Sequence, residues 1–247
     1  MAGRGTRTNE LGLFKPFIEV ANGRMVEWLL SSLKVHFGIH DRIVFVTTRP
    51  FENEFEVTRE LGRSLRKMGV DLPFEVVLAP EVPQGPAKSV SLAIDALKGC
   101  AGAVIVVNVD QYIDFERLEL ADGAYGFLPI YAEFTQKASY VELQEGRIRR
   151  VVEKHNISNL ASAGVYGVSS VALFRDMLDQ LFKAGEATKG EFYVGPAYNF
   201  LIRSGIPVFP AAVMAKFDLG NLQGIERFRR RVECKSPNLG RSGVTFL

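Results

Sequence analysis

Apolar runs of strand length alternate with amphipathic stretches of helix length through most of the first half of the chain, and this alternation restricts the fold to the layered α/β class. Arg42 to Thr48 (RIVFVTT) reads as a buried strand, Glu52 to Met68 as a charged helix and Phe74 to Ala79 as a second strand. Ala87 to Leu97 follows as a helix, and Ala103 to Val109 (AVIVVNV) is the most apolar strand of all. From Tyr125 the pattern tightens into closely spaced strands: Gly126 to Phe134, Ser139 to Leu143, Ile148 to Glu153 and Ala163 to Val168. These predict a small antiparallel extension over the mouth of the main sheet. Val171 to Ala184 and Gly195 to Ser204 read as helices, Val208 to Met214 as a strand and Leu222 to Arg231 as a last helix. The expectation is a three-layer α/β/α fold with a mixed sheet.

A chain of 247 residues can bury one sizeable core, so residues 1–234 are read as a single domain. Residues 235–247, polar and turn-rich, are read as a loosely attached tail. With 47% hydrophobic and 23% charged residues, the composition excludes disorder and fibrous architectures. A net charge of +2 excludes a chain-wide attraction to nucleic acid or anionic membrane, so any anion binding must be local. No apolar run reaches the ~20 residues of a membrane span, and the first residues lack a signal-peptide core. Cys100 and Cys234 form neither a disulfide framework nor a CxxC site, which fits a reducing, cytoplasmic setting. His36 and His40 have no partner at metal-ligand spacing. The basic cluster Arg227, Arg229, Arg230 and Arg231 reads as a solvated helix face.

The chemistry begins at Gly3-Arg4-Gly5-Thr6-Arg7. Gly3 and Gly5 let successive backbone N–H groups turn toward an anion, a nest suited to a triphosphate, and Arg7 adds a fixed positive charge. The segment is not a Walker A loop, since no Gly-Lys-Ser/Thr follows, and the third glycine of the dinucleotide pattern is absent. Lys15-Pro16-Phe17-Ile18-Glu19-Val20 and Asn22-Gly23-Arg24-Met25 come next. In this order the segments resemble the sugar-phosphate nucleotidylyltransferases, whose pattern is Gly-x-Gly-Thr/Ser-Arg, Lys-Pro, a strand, then Gly-Lys/Arg-Pro-Met and a helix. The resemblance implies that Arg7 faces the β- and γ-phosphates of a nucleoside triphosphate and Lys15 its α-phosphate, with Gly3, Gly5 and Thr6 in the phosphate loop. It also implies a Rossmann-like fold of the nucleotide-diphospho-sugar transferase type.

The resemblance runs along nearly the whole chain. Pro83-Gln84-Gly85-Pro86-Ala87 stands where the family has its nucleobase loop, so Gln84 would meet the base edge and Gly85 admit it closely; a Pro at a helix N-terminus also accounts for the segment. Asn108-Val109-Asp110, at the end of the most apolar strand, stands where the family's Asp binds Mg²⁺; a lone Asp there can also be a helix cap. Glu153-Lys154 resembles the family's Glu-Lys-Pro, with Glu toward the sugar and Lys toward the acceptor phosphate, although His155 replaces the Pro. Ser158 to Tyr166 matches the strand whose backbone near Gly164 lines the acceptor pocket. Gly190 to Asn199 resembles a segment of capsule-associated members. Lys216-Phe217-Asp218-Leu219-Gly220 matches Trp-x-Asp-Ile/Leu-Gly, whose Asp is the second metal ligand, so Asp110 and Asp218 are the expected Mg²⁺ pair.

What the resemblance implies is transfer of a nucleoside monophosphate from a nucleoside triphosphate to a sugar 1-phosphate or similar phosphorylated acceptor. Pyrophosphate is released, and the product serves capsule or other surface polysaccharide synthesis. Two other readings stay open: a nucleotide-sugar-dependent glycosyltransferase using Asn108-Val109-Asp110, and a catalytically silent nucleotide-sugar-binding protein. A homo-oligomer is compatible with the sequence. In this fold a glycine loop follows a strand, and the loop here starts the sequence, so the first strand is expected to be missing.

Overall fold

A computed structural model of the protein describes residues 14–97, 99, 100, 102–116, 123–135 and 137–235. Gly3, Gly5, Thr6 and Arg7, and residues 236–247 of the expected tail, lie outside the described residues. A 3₁₀ turn over Lys15–Phe17, with Pro16 in its first turn, leads into a short antiparallel hairpin of β1 (Glu19–Val20) and β2 (Gly23–Arg24). Helix α1 (Met25–Leu33) starts directly after it. The Glu27 carboxylate caps α1 by accepting the Arg24 N–H at 3.0 Å. Strand β3 (Ile43–Thr48) pairs in parallel with β4 (Phe74–Ala79), the arrangement that a helical crossover between two strands permits.

That crossover is two helices, not the single one expected from Glu52 to Met68. Helix α2 (Arg49–Phe55) stops where Glu56 takes a left-handed conformation at φ 48°, and α3 (Val57–Lys67) starts on the other side. Glu52 serves both: its carbonyl accepts the Glu56 N–H at 2.9 Å and its carboxylate the Thr58 N–H at 3.0 Å. The chain continues through α4 (Pro86–Ala96), β5 (Val104–Val107), β6 (Gln111–Phe115), β7 (Gly126–Ala132), β8 (Ser139–Gln144), β9 (Arg147–Glu153), β10 (Leu160–Ser162) and β11 (Val165–Val168). Helices α5 (Val171–Ala184) and α6 (Val194–Arg203), the long strand β12 (Val208–Asp218) and α7 (Leu222–Lys235) complete it.

Strands β5 to β12 make one mixed eight-stranded sheet. Strand β7 is its hub: β11 and β10 pair antiparallel with successive parts of one edge, and the first half of β12 runs parallel along the other. The expected antiparallel extension is therefore continuous with the main sheet, since β10 links the β8–β9 hairpin to it through Ala161 opposite Tyr140. After Ala212, β12 leaves β7 and from Val213 pairs antiparallel with β6, with a register shift between Val213 and Ala215; β6 is a strand that the sequence pattern does not announce. Strand β12 thus runs on through Asp218 rather than ending at Met214.

The sheet is covered on both faces, which gives the expected three layers. On one face Ala87, Val90 and Ile94 of α4, Phe174, Met177 and Leu181 of α5, and Tyr198 and Leu201 of α6 share a core with Val104, Leu128, Val151 and Val208. On the other, Leu29 of α1 packs on Ile113, Phe115 and Val165, and Phe228 of α7 packs with Val20, Met25 and Leu219. Tyr166 and Val168 face the first core while Val165 faces the second, the alternation a strand imposes. Fully buried side chains such as Phe174 each stabilise this arrangement by roughly 1.5–3 kcal/mol.

Candidate active site

A cleft of about 770 Å³ opens along the sheet where β6, β9, β11 and β12 present their polar side chains. Its construction starts from a register. Gln111 of β6 pairs with Asp218 of β12, and the Leu219 N–H donates to the Asp110 carbonyl at 2.9 Å. Two carboxylates 108 positions apart in the chain thereby stand at neighbouring strand ends. Asp218 is held by the Gly220 N–H on Oδ1 at 2.8 Å and the Asn221 side-chain amide on Oδ2 at 2.6 Å. Asp110 Oδ2 accepts from Lys15 Nζ at 2.5 Å, so the Lys-Pro turn is tied to the same place.

Gly220 shows how closely these groups converge. A Cβ at that position would stand 2.7 Å from Lys15 Nζ, 2.8 Å from Asp110 Oδ2 and 3.0 Å from Asp218 Oδ1. Only a residue without a side chain leaves that space to the three charged groups. Two carboxylates aimed at one point, with no third His, Cys, Asp or Glu gathered there among the described residues, suit Mg²⁺, which takes few protein oxygens and keeps water and phosphate in its shell. The residues present fit that ion.

The other end of the cleft holds Glu153, Lys154 and Gly164. Glu153, the last residue of β9, is almost fully buried and accepts from the Ser139 hydroxyl. Burial pushes its carboxyl above the usual range, against the opposing pull of Ser139 and Lys154, and nearby Glu191 adds to the rise. Lys154 follows in a left-handed conformation at φ 55°, its N–H bonded to the Ala138 carbonyl at 2.8 Å, and its ammonium donates to the Tyr193 hydroxyl. Gly164, at φ 80°, presents its carbonyl to the Asn108 N–H at 3.1 Å and the Gln111 side-chain amide at 3.2 Å. A Cβ on Gly164 would meet the Asn108 and Gln111 side chains at 2.8 Å, so close approach and backbone both call for glycine.

The structure thus brings Lys15, Asp110, Glu153, Lys154, Gly164 and Asp218 into one cleft. Gln84 and Gly85 stand apart from its lining, which on that side begins with Pro86. The Gln84 amide donates to the Gly190 carbonyl at 2.9 Å, and Gly85, at φ 96°, lies against the backbone of Phe192, where a Cβ would come within 2.6 Å. Arg227 lines the cleft, so the basic cluster on α7 is not wholly a solvated face.

Three further residues of the cleft have no role in the motif pattern: Tyr131, Glu133 and Lys216. Lys216 Nζ donates to the Tyr131 hydroxyl oxygen at 3.2 Å, and that hydroxyl donates to Glu133 Oε2 at 2.6 Å. Burial pushes the Lys216 ammonium below its usual range, while Asp218, Glu133 and Asp110 pull the other way. Burial raises the Tyr131 phenol well above its ordinary value, and its bond to Glu133 raises it further. A lysine inside an otherwise apolar strand is the one signal in the sequence that could have marked this group.

No protein-family model matches the sequence. Over 180 residues, 67% of this chain, it is 30% identical to a mannose-1-phosphate guanyltransferase of Candida albicans. The chain spans about half the length of that curated relative, 47% of it. Among solved structures, a nucleoside-diphosphate-sugar pyrophosphorylase from Vibrio cholerae RC9 superposes with a TM-score of 0.80 at 19% identity, over 93% of this chain and 98% of the other. The inositol-1-phosphate CTP transferase from T. maritima gives 0.69 at 16% identity, over 97% and 95%. Across nearly its whole length the chain therefore has the nucleotide-diphospho-sugar transferase fold, the fold that the motif resemblance implies.

Proposed function

We propose that the protein is a sugar-phosphate nucleotidylyltransferase, which joins the nucleoside monophosphate of a nucleoside triphosphate to a sugar 1-phosphate or similar phosphorylated acceptor and releases pyrophosphate. The observation that carries this reading is the convergence of Lys15, Asp110 and Asp218 beside Gly220, in the same cleft as Glu153, Lys154 and Gly164. One end is suited to a polyphosphate and the other to a phosphorylated acceptor. The 30% identity to a guanyltransferase supports the same reaction class.

The acceptor phosphate is an anion at neutral pH and needs no catalytic base, so the chain's contribution is positioning and charge neutralisation. Lys154, steadied by Tyr193, holds the acceptor phosphate. Glu153, buried against Ser139, meets the acceptor's hydroxyl groups. Gly164 gives the acceptor access to the strand edge. Lys15 stabilises the charge that builds on the α-phosphate during in-line attack, and Arg7 that on the departing pyrophosphate. Asp110 and Asp218 would hold Mg²⁺, which supplies charge neutralisation to the phosphates when bound. Gln84 and Gly85, tied to Gly190 and Phe192 just beyond the cleft lining, would position the loop that meets the nucleobase. The resemblance of Gly190 to Asn199 to capsule-associated relatives supports a role in making surface-polysaccharide precursors, and the scarcity of cysteine supports a cytoplasmic setting.

A screen crossing the nucleoside triphosphates with phosphorylated acceptors, read by pyrophosphate release, tests the reaction. Release with at least one pair is expected, and Lys15→Ala should lower turnover at least about a hundredfold while leaving binding of the finished nucleotide sugar nearly unchanged. Free nucleoside diphosphate as the product would mark a glycosyltransferase. Binding without any turnover would mark a silent sensor.

A further inference from the structure

Two lysines of the cleft are seated in the same way. Lys154 donates to the hydroxyl of Tyr193, which donates to Glu191, and Lys216 donates to the hydroxyl of Tyr131, which donates to Glu133. Each ammonium also stands over the ring that holds it, 4.2 Å from the Tyr193 centroid and 4.3 Å from that of Tyr131. The second seat is firmly built, because Glu133 Oε1 accepts the N–H groups of Phe134 at 2.9 Å and Thr135 at 2.8 Å.

The difference lies in where each ammonium points. Lys216 and Asp218 are two apart on β12, so their side chains leave the strand on one face, beside the end of the cleft where Asp110, Asp218 and Lys15 converge. Tyr131 takes one of the three N–H donors of Lys216. Among the described residues Lys216 forms no ion pair with a carboxylate within 4.0 Å, whereas Lys15 is committed to Asp110. A partly buried ammonium with donors to spare is matched by an oxyanion arriving in the cleft. The motif pattern that the segment resembles carries Trp at this position, so the cation is a departure of this chain.

We propose that Lys216 is a second oxyanion-binding lysine of the cleft. It holds a phosphoryl oxygen at the Asp110–Asp218 end while Lys154 serves the acceptor end, and Tyr131 is its positioning residue. The assignment of that oxygen to a reacting substrate rests on the nucleotidyl-transfer reading, but the binding itself can be measured without turnover.

The experiment is calorimetric titration of the full chain with pyrophosphate in magnesium buffer, for wild type, Lys216→Met, Lys216→Arg and Tyr131→Phe. Wild type should bind. Lys216→Met should weaken binding about tenfold or more, Lys216→Arg should stay within about threefold, and Tyr131→Phe should fall between them, all with unchanged thermal unfolding. If Lys216→Met does not fold, Lys216→Gln takes its place with the same expectation. Pyrophosphate binding equal to wild type in a folded charge-free variant overturns the proposal, as does a wild type that does not bind. If no substrate pair releases pyrophosphate, the nucleotidyl-transfer reading fails by itself, and the titration still decides whether Lys216 binds oxyanions.

Discussion

Gly220 is a glycine because of what surrounds it. Its backbone is not in the left-handed region, yet any side chain would enter the space shared by Lys15, Asp110 and Asp218. Gly220→Ala should therefore fold normally and lose at least about a hundredfold in turnover, comparable to removing an electrostatic stabiliser, as steady-state kinetics beside a thermal melt would show. Glu27 governs stability instead of chemistry. Burial raises its carboxyl, but Lys67 at 2.7 Å, the Arg24 N–H and Ser64 outweigh burial and hold it below its ordinary value of 4.5. A carboxyl depressed by folding contributes stability that is present above the unfolded value and lost as pH falls through the folded one. Urea unfolding between about pH 3 and pH 6 should thus show a steeper acid decline for wild type than for Glu27→Gln. At this scale the sequence is legible where a residue belongs to a motif, as Lys15, Asp110 and Asp218 do. Lys216 stands in such a segment but departs from its pattern, and its partner Tyr131 is 85 positions away and meets it only through the sheet.

Among the elements, those with a plain periodicity are legible, and those shaped by a polar partner are not. Strand β6 begins with Gln111, buried and hydrogen-bonded to Gly164, so its inward face opens on a polar residue and conceals the alternation. The far end of β12 is disguised likewise, because Lys216 and Asp218 point into the cleft. The break between α2 and α3 falls on Glu56, an ordinary helix former with no glycine to announce it. Glu56→Gly should relieve the left-handed backbone and stabilise the protein by about 0.5–1 kcal/mol, whereas Glu56→Val should destabilise it by about 1 kcal/mol, both measurable by chemical denaturation. Gly167, opposite Phe127 where β11 pairs with β7, carries a different load. A Cβ there would stand 2.0 Å from the Phe127 ring, so Gly167→Ala should cost about 1–3 kcal/mol through overpacking in the same measurement.

At the scale of the molecule, one strand explains why the site exists. Strand β12 runs parallel to β7 through Ala212, then turns to pair with β6, and carries Asp218 from the main core to the end of the cleft beside Asp110. The order of helices and strands and the three-layer class are legible from hydrophobic patterning. The pairing that turns two distant motifs into one site is not, because it depends on a strand that patterning conceals. This pairing builds the proposed nucleotidyl-transfer centre. Its most direct test is pyrophosphate release in magnesium buffer by wild type, Asp110→Asn and Asp218→Asn across nucleoside triphosphates and phosphorylated acceptors. Release by wild type in step with nucleotide-sugar formation is expected for at least one pair, with a loss of at least about a hundredfold in each variant at unchanged thermal stability. Wild-type turnover in either Asn variant, or no release by wild type with any pair, would overturn that assignment.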